Sequence, residues 1–182
     1  MSRQSVLQRI SFALIVAGPG VGFCALAQAQ GSASDTTDVS PQSFATQAAT
    51  IGKAEIELGQ LAARNSSDAS VKKFATRMVQ DHTAADAKLK GIAAKDNLTL
   101  PSQLDAEHQA TKAKLSGLKG AEFDAAYSEA MATGHDKAVA LFESASQSTS
   151  FPPDLKQFAT TTLPTLKEHQ KMAHSLHDKD GA

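Results

Sequence analysis

Four ionisable residues, Glu55, His82, His135 and His169, occupy positions where the surrounding pattern calls for apolar side chains. Imidazole and carboxylate are suitable ligands for transition metals such as Zn, Cu or Fe, so a set that shares one interior layer would be a candidate metal site. Three methionines lie one helical turn from these histidines: Met78 before His82, Met131 before His135 and Met172 after His169. Thioether beside imidazole would favour copper, particularly Cu(I), although methionine is also a common core filler. Asp81 and Asp86 flank His82, and Glu168 flanks His169. Asp81 and Glu168 are candidates for orienting the imidazoles from behind, whereas Asp86 reads as a solvated surface group. The competing reading is a metal-free polar network, with Glu55 pairing a histidine and Tyr127 or a buried water satisfying the remainder.

These residues need helices to position them. Ser40 followed by Pro41 is an N-cap with proline at the first helical position, and Phe44, Ala48, Ile51, Glu55, Leu58 and Ala62 then recur at steps of three and four. That spacing predicts a helix over 41–65. Asn65 to Asp68 break it and cap a second helix with the stripe Val71, Ala75, Met78, His82, Ala85, Leu89 and Ile92. Lys95 to Pro101 is a loop, and Ser102 with Asp105 resembles a capping box for a short helix ending near Leu118. A long helix is predicted from about Ala121 to Ser148, carrying Phe123, Tyr127, Met131, His135, Ala138 and Phe142 on one face. The last helix, after Pro152 and Pro153, carries Leu155, Phe158, Leu166, His169 and Ala173, and Pro164 inside it should kink it or divide it into a bent pair.

The sum is all-α: two helical hairpins joined by a long middle crossover that contains a short extra helix, the ferritin-like four-helix arrangement. The helix rise places Glu55 about 15 Å and His82 about 20 Å from the same turn, while His135 and His169 fall near the middles of their helices. One layer near mid-bundle can therefore contain all four. His174 and His177, beside Asp178 and Asp180, form a weaker surface cluster, and His108 has no evident partner.

The chain of 182 residues opens with a basic stretch containing Arg3 and Arg9, an apolar run over 10–23, and Ala27 and Ala29 in the small-residue slots of a cleavage site. Residues 1–29 thus read as a signal peptide cut after Ala29, with Ala27 as the alternative. Residues 30–40 read as a flexible linker, 41–177 as the bundle and 178–182 as a polar tail. The address implied is the periplasm or the exterior. Cleavage removes Cys24, the only cysteine, and reduces the 18 basic residues to 16 against 19 acidic ones. Disulfide and thiol chemistry are thereby excluded, and histidine, carboxylate and methionine are left as candidate ligands. The mild acidity and the lack of tryptophan argue against nucleic acid as a partner. No further membrane span is predicted, no nucleophile elbow or phosphate loop is present, and the pattern leaves a homo-oligomer open while naming no protein partner.

Four motifs in order carry a resemblance: Ala54-Glu55-Ile56-Glu57-Leu58-Gly59-Gln60-Leu61-Ala62; Phe74-Ala75 with Met78-Val79 and Asp81-His82; Phe123-Asp124 with Tyr127 and then His135; and Leu163-Pro164 with Leu166 and His169. Together they resemble the exported bacterial family of domain of unknown function 4142 (DUF4142). The resemblance implies a ferritin-like fold in an envelope protein, with recurrent polar residues at Glu55, Asp81, His82, His135 and His169, and no established activity. The chain departs from di-iron ferritins, which place a glutamate three residues before a histidine on two helices. Here Val79 and Leu166 stand at those positions, which argues against a carboxylate-bridged di-iron centre. Two functions follow as expectations: a metal-binding bundle for metal handling or redox and stress protection, or a metal-free envelope stress or protein-interaction module whose buried Glu/His layer is structural.

Overall fold

The first helix begins where Ser40 and Pro41 predict it: the Ser40 hydroxyl accepts from the Ser43 amide, and α1 runs Pro41–Asn65. The computed structural model describes residues 39–180, and the segment read as leader and most of the linker lie outside that range, as do Gly181 and Ala182. Helix α2 spans Ala69–Lys95 behind an Asp68 cap that accepts from the Ser70 and Val71 amides. It ends with Asn97 at φ 54° and the Leu98 amide bonded back to the Ala93 carbonyl, a left-handed termination that asparagine tolerates better than most residues.

Helix α3 spans Ala106–Ser116, α4 Gly120–Gln147 and α5 Pro153–Asp180. The short helix is capped by Asp105, not by Ser102 as the capping-box pattern suggests: Asp105 Oδ1 accepts from the His108 amide, and Leu104, just before the cap, is buried. Helix α5 continues to Asp180, into the stretch read as a polar tail, and is not divided at Pro164. Pro164 lies on the exposed side, while Phe158, Ala159 and Leu166 bury both flanks in the same core. Packing on either side thus holds the helix through the position where proline removes a backbone donor.

Helices α1 and α2 pack as one hairpin and α4 and α5 as the other, with α1 against α4 and α2 against α5. Among the described residues there is no strand, and no helix is long and apolar enough to cross a membrane. The turn between α1 and α2 is tied to α4 by Asp124, whose Oδ2 accepts from the Ser67 amide, the Ser67 hydroxyl and the Asp68 amide at 2.8–3.1 Å. Helix α3 lies across α1 and α4. Its Lys112 pairs with Glu57 of α1, replacing the Lys53–Glu57 pair that sequence spacing would allow, and its Glu107 pairs with Lys137 of α4.

The interior holds two apolar clusters. One gathers Phe44, Phe142, Phe151 and Phe158; the other gathers Phe74, Met78, Phe123, Tyr127 and Met131. On each long helix the layer residue falls between them. Glu55 sits between Ala49 and Leu58, His82 between Met78 and Leu89, His135 between Ala132 and Ala138, and His169 between Leu166 and Ala173.

Candidate metal centre

His82 of α2, His135 of α4 and His169 of α5 meet in this layer. They are 6%, 0% and 1% exposed, and each offers a ring nitrogen within 4.8 Å of the nitrogens offered by the other two. The imidazole centroids form a nearly equilateral triangle, 5.9 Å from His82 to His135, 5.6 Å from His82 to His169 and 5.5 Å from His135 to His169. Three imidazoles around one zinc-sized ion, with metal–nitrogen bonds of about 2.05 Å, would place their centroids about 5.2–5.5 Å apart. The centroids are therefore within a few tenths of an ångström of that size, while the donor nitrogens, within 4.8 Å of one another, would draw in to about 3.3–3.6 Å around an ion.

One buried nitrogen on each ring has no hydrogen-bond partner: Nε2 of His82, Nε2 of His135 and Nδ1 of His169. The other nitrogens of two rings are held from behind. His135 Nδ1 lies 2.9 Å from the Met131 carbonyl, which fixes the proton there and leaves Nε2 as a lone pair. His169 Nε2 lies 2.8 Å from Asp81 Oδ2, which leaves Nδ1 as the free base. Backbone carbonyl and carboxylate are the groups that ordinarily orient metal-binding histidines.

Electrostatics favour the neutral form of His82 and His169, the form that binds metal. Burial, reinforced by the neighbouring His135 and His169, pushes His82 down to about 3. Burial also lowers His169, against the opposing pull of its Asp81 hydrogen bond. Asp81 is drawn upward by partial burial, but bonds from His169 and Arg77 prevail and hold it below the ordinary carboxylate range.

The remaining candidates separate by position. Glu55 is buried at 4% exposure, but it lies behind His135: its Oε1 is 3.8 Å from Nδ1, the nitrogen already facing the Met131 carbonyl. Burial raises Glu55, and only partly does His135 offset this. Glu168 reaches the histidines indirectly, through Arg77, which bonds Glu168 at 2.7 Å and Asp81 at 3.2 Å. Met172 presents its sulfur to Arg77 Nη1 at 3.4 Å. Met78 and Met131 belong to the apolar cluster beside the layer, and Met131 meets His135 through its carbonyl. Tyr127 is buried, but its hydroxyl has no hydrogen-bond partner, so it does not close the polar network as drawn from sequence. His174 turns to Asp136 of α4 at 2.8 Å.

Arg77 is the functional neighbour that sequence reasoning missed; its four-residue spacing to Asp81 on one helix was the available signal. Gly52 and Gly134 were missed as well. A Cβ at Gly52 would come 3.9 Å from His82 Nδ1, and one at Gly134 would come 3.4 Å from Glu55 Oε1, so both positions lie in contact range of layer side chains.

No protein among the curated sequences matches this chain. Its fold is similar to the crystal structure of a DUF305 protein from Streptomyces coelicolor, described as secreted, with a TM-score of 0.66 and 17% identity over 80% of this chain and 95% of that one. At that identity the likeness concerns the fold alone. The model of the domain of unknown function DUF4142 matches residues 25–176, and the chain belongs to that family.

Proposed function

We propose that this protein binds one transition-metal ion through His82, His135 and His169 and serves metal handling or redox and stress protection in the bacterial envelope. The observation that carries the reading is the convergence of three buried imidazoles from three helices, each with a partnerless ring nitrogen. An apolar interior normally satisfies its polar atoms, and one shared cation would account for three partnerless ring nitrogens in one layer. Three imidazole donors suit zinc, copper or iron. Glu55, 3.8 Å behind His135 Nδ1, is placed to polarise that ring from the side away from the free Nε2. The leader-like residues 1–29, followed by a linker over 30–40 and a bundle over 41–177, support export to the periplasm or beyond.

A second reading, a metal-free stress or interaction module, is favoured by one observation. His82 is held neutral by burial, and the other two rings are already bonded to Asp81 and the Met131 carbonyl, so the layer needs no counter-ion to fix helix register. Metal analysis of untagged protein isolated from the envelope, with melting curves in added Zn and Cu, separates the two. The metal reading expects one equivalent of metal and a higher Tm, both lost in the His82→Ala, His135→Ala double variant. Absence of bound metal together with an unchanged melt would leave the structural module.

A further inference from the structure

A groove of about 700 Å³ runs between α1, α3 and α4, away from the face where Asp81 and Arg77 lie. Leu58, Leu104, Leu115, Met131 and Leu141 give it an apolar floor. Its ionisable lining is unbalanced: Glu55, Asp105, Glu107 and Glu129 face it with Lys114, Lys137 and His108. Glu107 is matched by Lys137 at 2.6 Å, and Asp105 by His108 at 2.6 Å. Glu55 faces only the His135 ring, at the longer distance of 3.8 Å. It is 4% exposed, and its Oε2 is buried without a hydrogen bond.

The backbone beside Glu55 points the same way. Gly134 stands in the middle of α4, where glycine costs about 1 kcal/mol relative to alanine. It lines the groove, and a Cβ there would stand in van der Waals contact with Glu55 Oε1, at 3.4 Å. The missing side chain keeps the approach to the carboxylate open. Helix α3 forms the outer wall, pinned to α1 through Lys112–Glu57 and to α4 through Glu107–Lys137, so the groove is a built feature of the crossover.

We propose that this groove binds an aliphatic amine, with the hydrocarbon chain on the leucine floor and the ammonium group donating to Glu55. An alkyl chain buries apolar surface along Leu58, Leu104 and Leu115, and the ammonium supplies the donors that the unbonded Oε2 of Glu55 lacks, with the matching charge. A fatty acid of the same length would place like charge against Glu55, and an alcohol would supply a donor without charge. The groove is distinct from the histidine triangle, and the amine is taken without recourse to a metal.

The test is calorimetric titration of the full mature chain with octylamine, octanol and octanoate at pH 7, below their aggregation concentrations, with backbone NMR to locate the shifts. One-to-one binding of octylamine is expected, with shifts at Gly134 and Leu104, and octanoate binding at least about tenfold weaker. Glu55→Gln should weaken octylamine about tenfold or more, and Gly134→Leu should abolish binding in protein that retains its helical circular dichroism. Octanoate binding as tightly as octylamine, unchanged affinity in Glu55→Gln, or shifts outside the groove would each overturn the proposal. Stoichiometric metal uptake, measured separately, reports on the histidine centre and is expected to survive Gly134→Leu.

Discussion

Asp81 Oδ2 lies 2.8 Å from His169 Nε2 and 3.2 Å from Arg77 Nε, so one carboxylate oxygen joins an exposed guanidinium to a buried imidazole. The carboxylate sets which nitrogen of His169 faces the centre, and Arg77 keeps it charged. Asp81→Asn retains the shape but loses the charge, and should weaken metal binding about 10- to 100-fold without changing its stoichiometry. Competition with a chromophoric chelator measures this, and an unchanged affinity would remove Asp81 from the site.

Acid should destabilise the metal-free protein over a window set by His82. The folded-state value is about 3 against an ordinary 6.5, so below 6.5 the unfolded chain takes up a proton that the folded one refuses. Stability is complete above that window and falls as pH drops through it, by at most about 1.4 kcal/mol per pH unit from this group. Urea midpoints at pH 7 and pH 5 should differ less in His82→Leu, which has no ring to protonate.

Asp124 is an anchor whose loss should be felt far from its own helix. Removing it in Asp124→Ala leaves the Ser67 and Asp68 amides without their acceptor and should cost on the order of 2–3 kcal/mol. Denaturant unfolding gives the size of the effect. Amide exchange should locate the loosening at the turn between α1 and α2, and exchange confined to α4 would contradict this account.

Gly59 allows α1 and α2 to approach closely. A Cβ there would meet Val79 Cγ2 at 2.8 Å and the Ala75 carbonyl oxygen at 3.0 Å, and the second of these is backbone that cannot swing aside. Gly59→Ala should therefore destabilise by about 1–3 kcal/mol despite its better helix propensity. A thermal melt showing a gain would mean that the hairpin has slack here.

Sequence periodicity revealed the helices and the depth of the layer because both follow from rise per residue, which is nearly invariant. The direction of a side chain within its stripe is less legible, since the stripe spans a wide arc and α1 packs against three neighbours. Glu55 thus shares the depth of the histidines yet sits on the groove side of His135. The same arc explains the methionines, which have the spacing of ligands and the surroundings of core. Pro164 was read from its local cost, which tertiary packing outweighs. Gly134 meets Glu55 and Arg77 meets Glu168 across the bundle, pairings that no local pattern announces, although the spacing of Arg77 to Asp81 was legible within α2.

The alternation of apolar cluster, polar layer and apolar cluster along every long helix gives the domain two ends that share backbone but not side-chain packing. Such ends can loosen as separate cooperative units, each with its own opening free energy. An ion held by α2, α4 and α5 at the waist would join them, so that amides on both sides exchange together when it is bound and at two distinct rates when it is stripped.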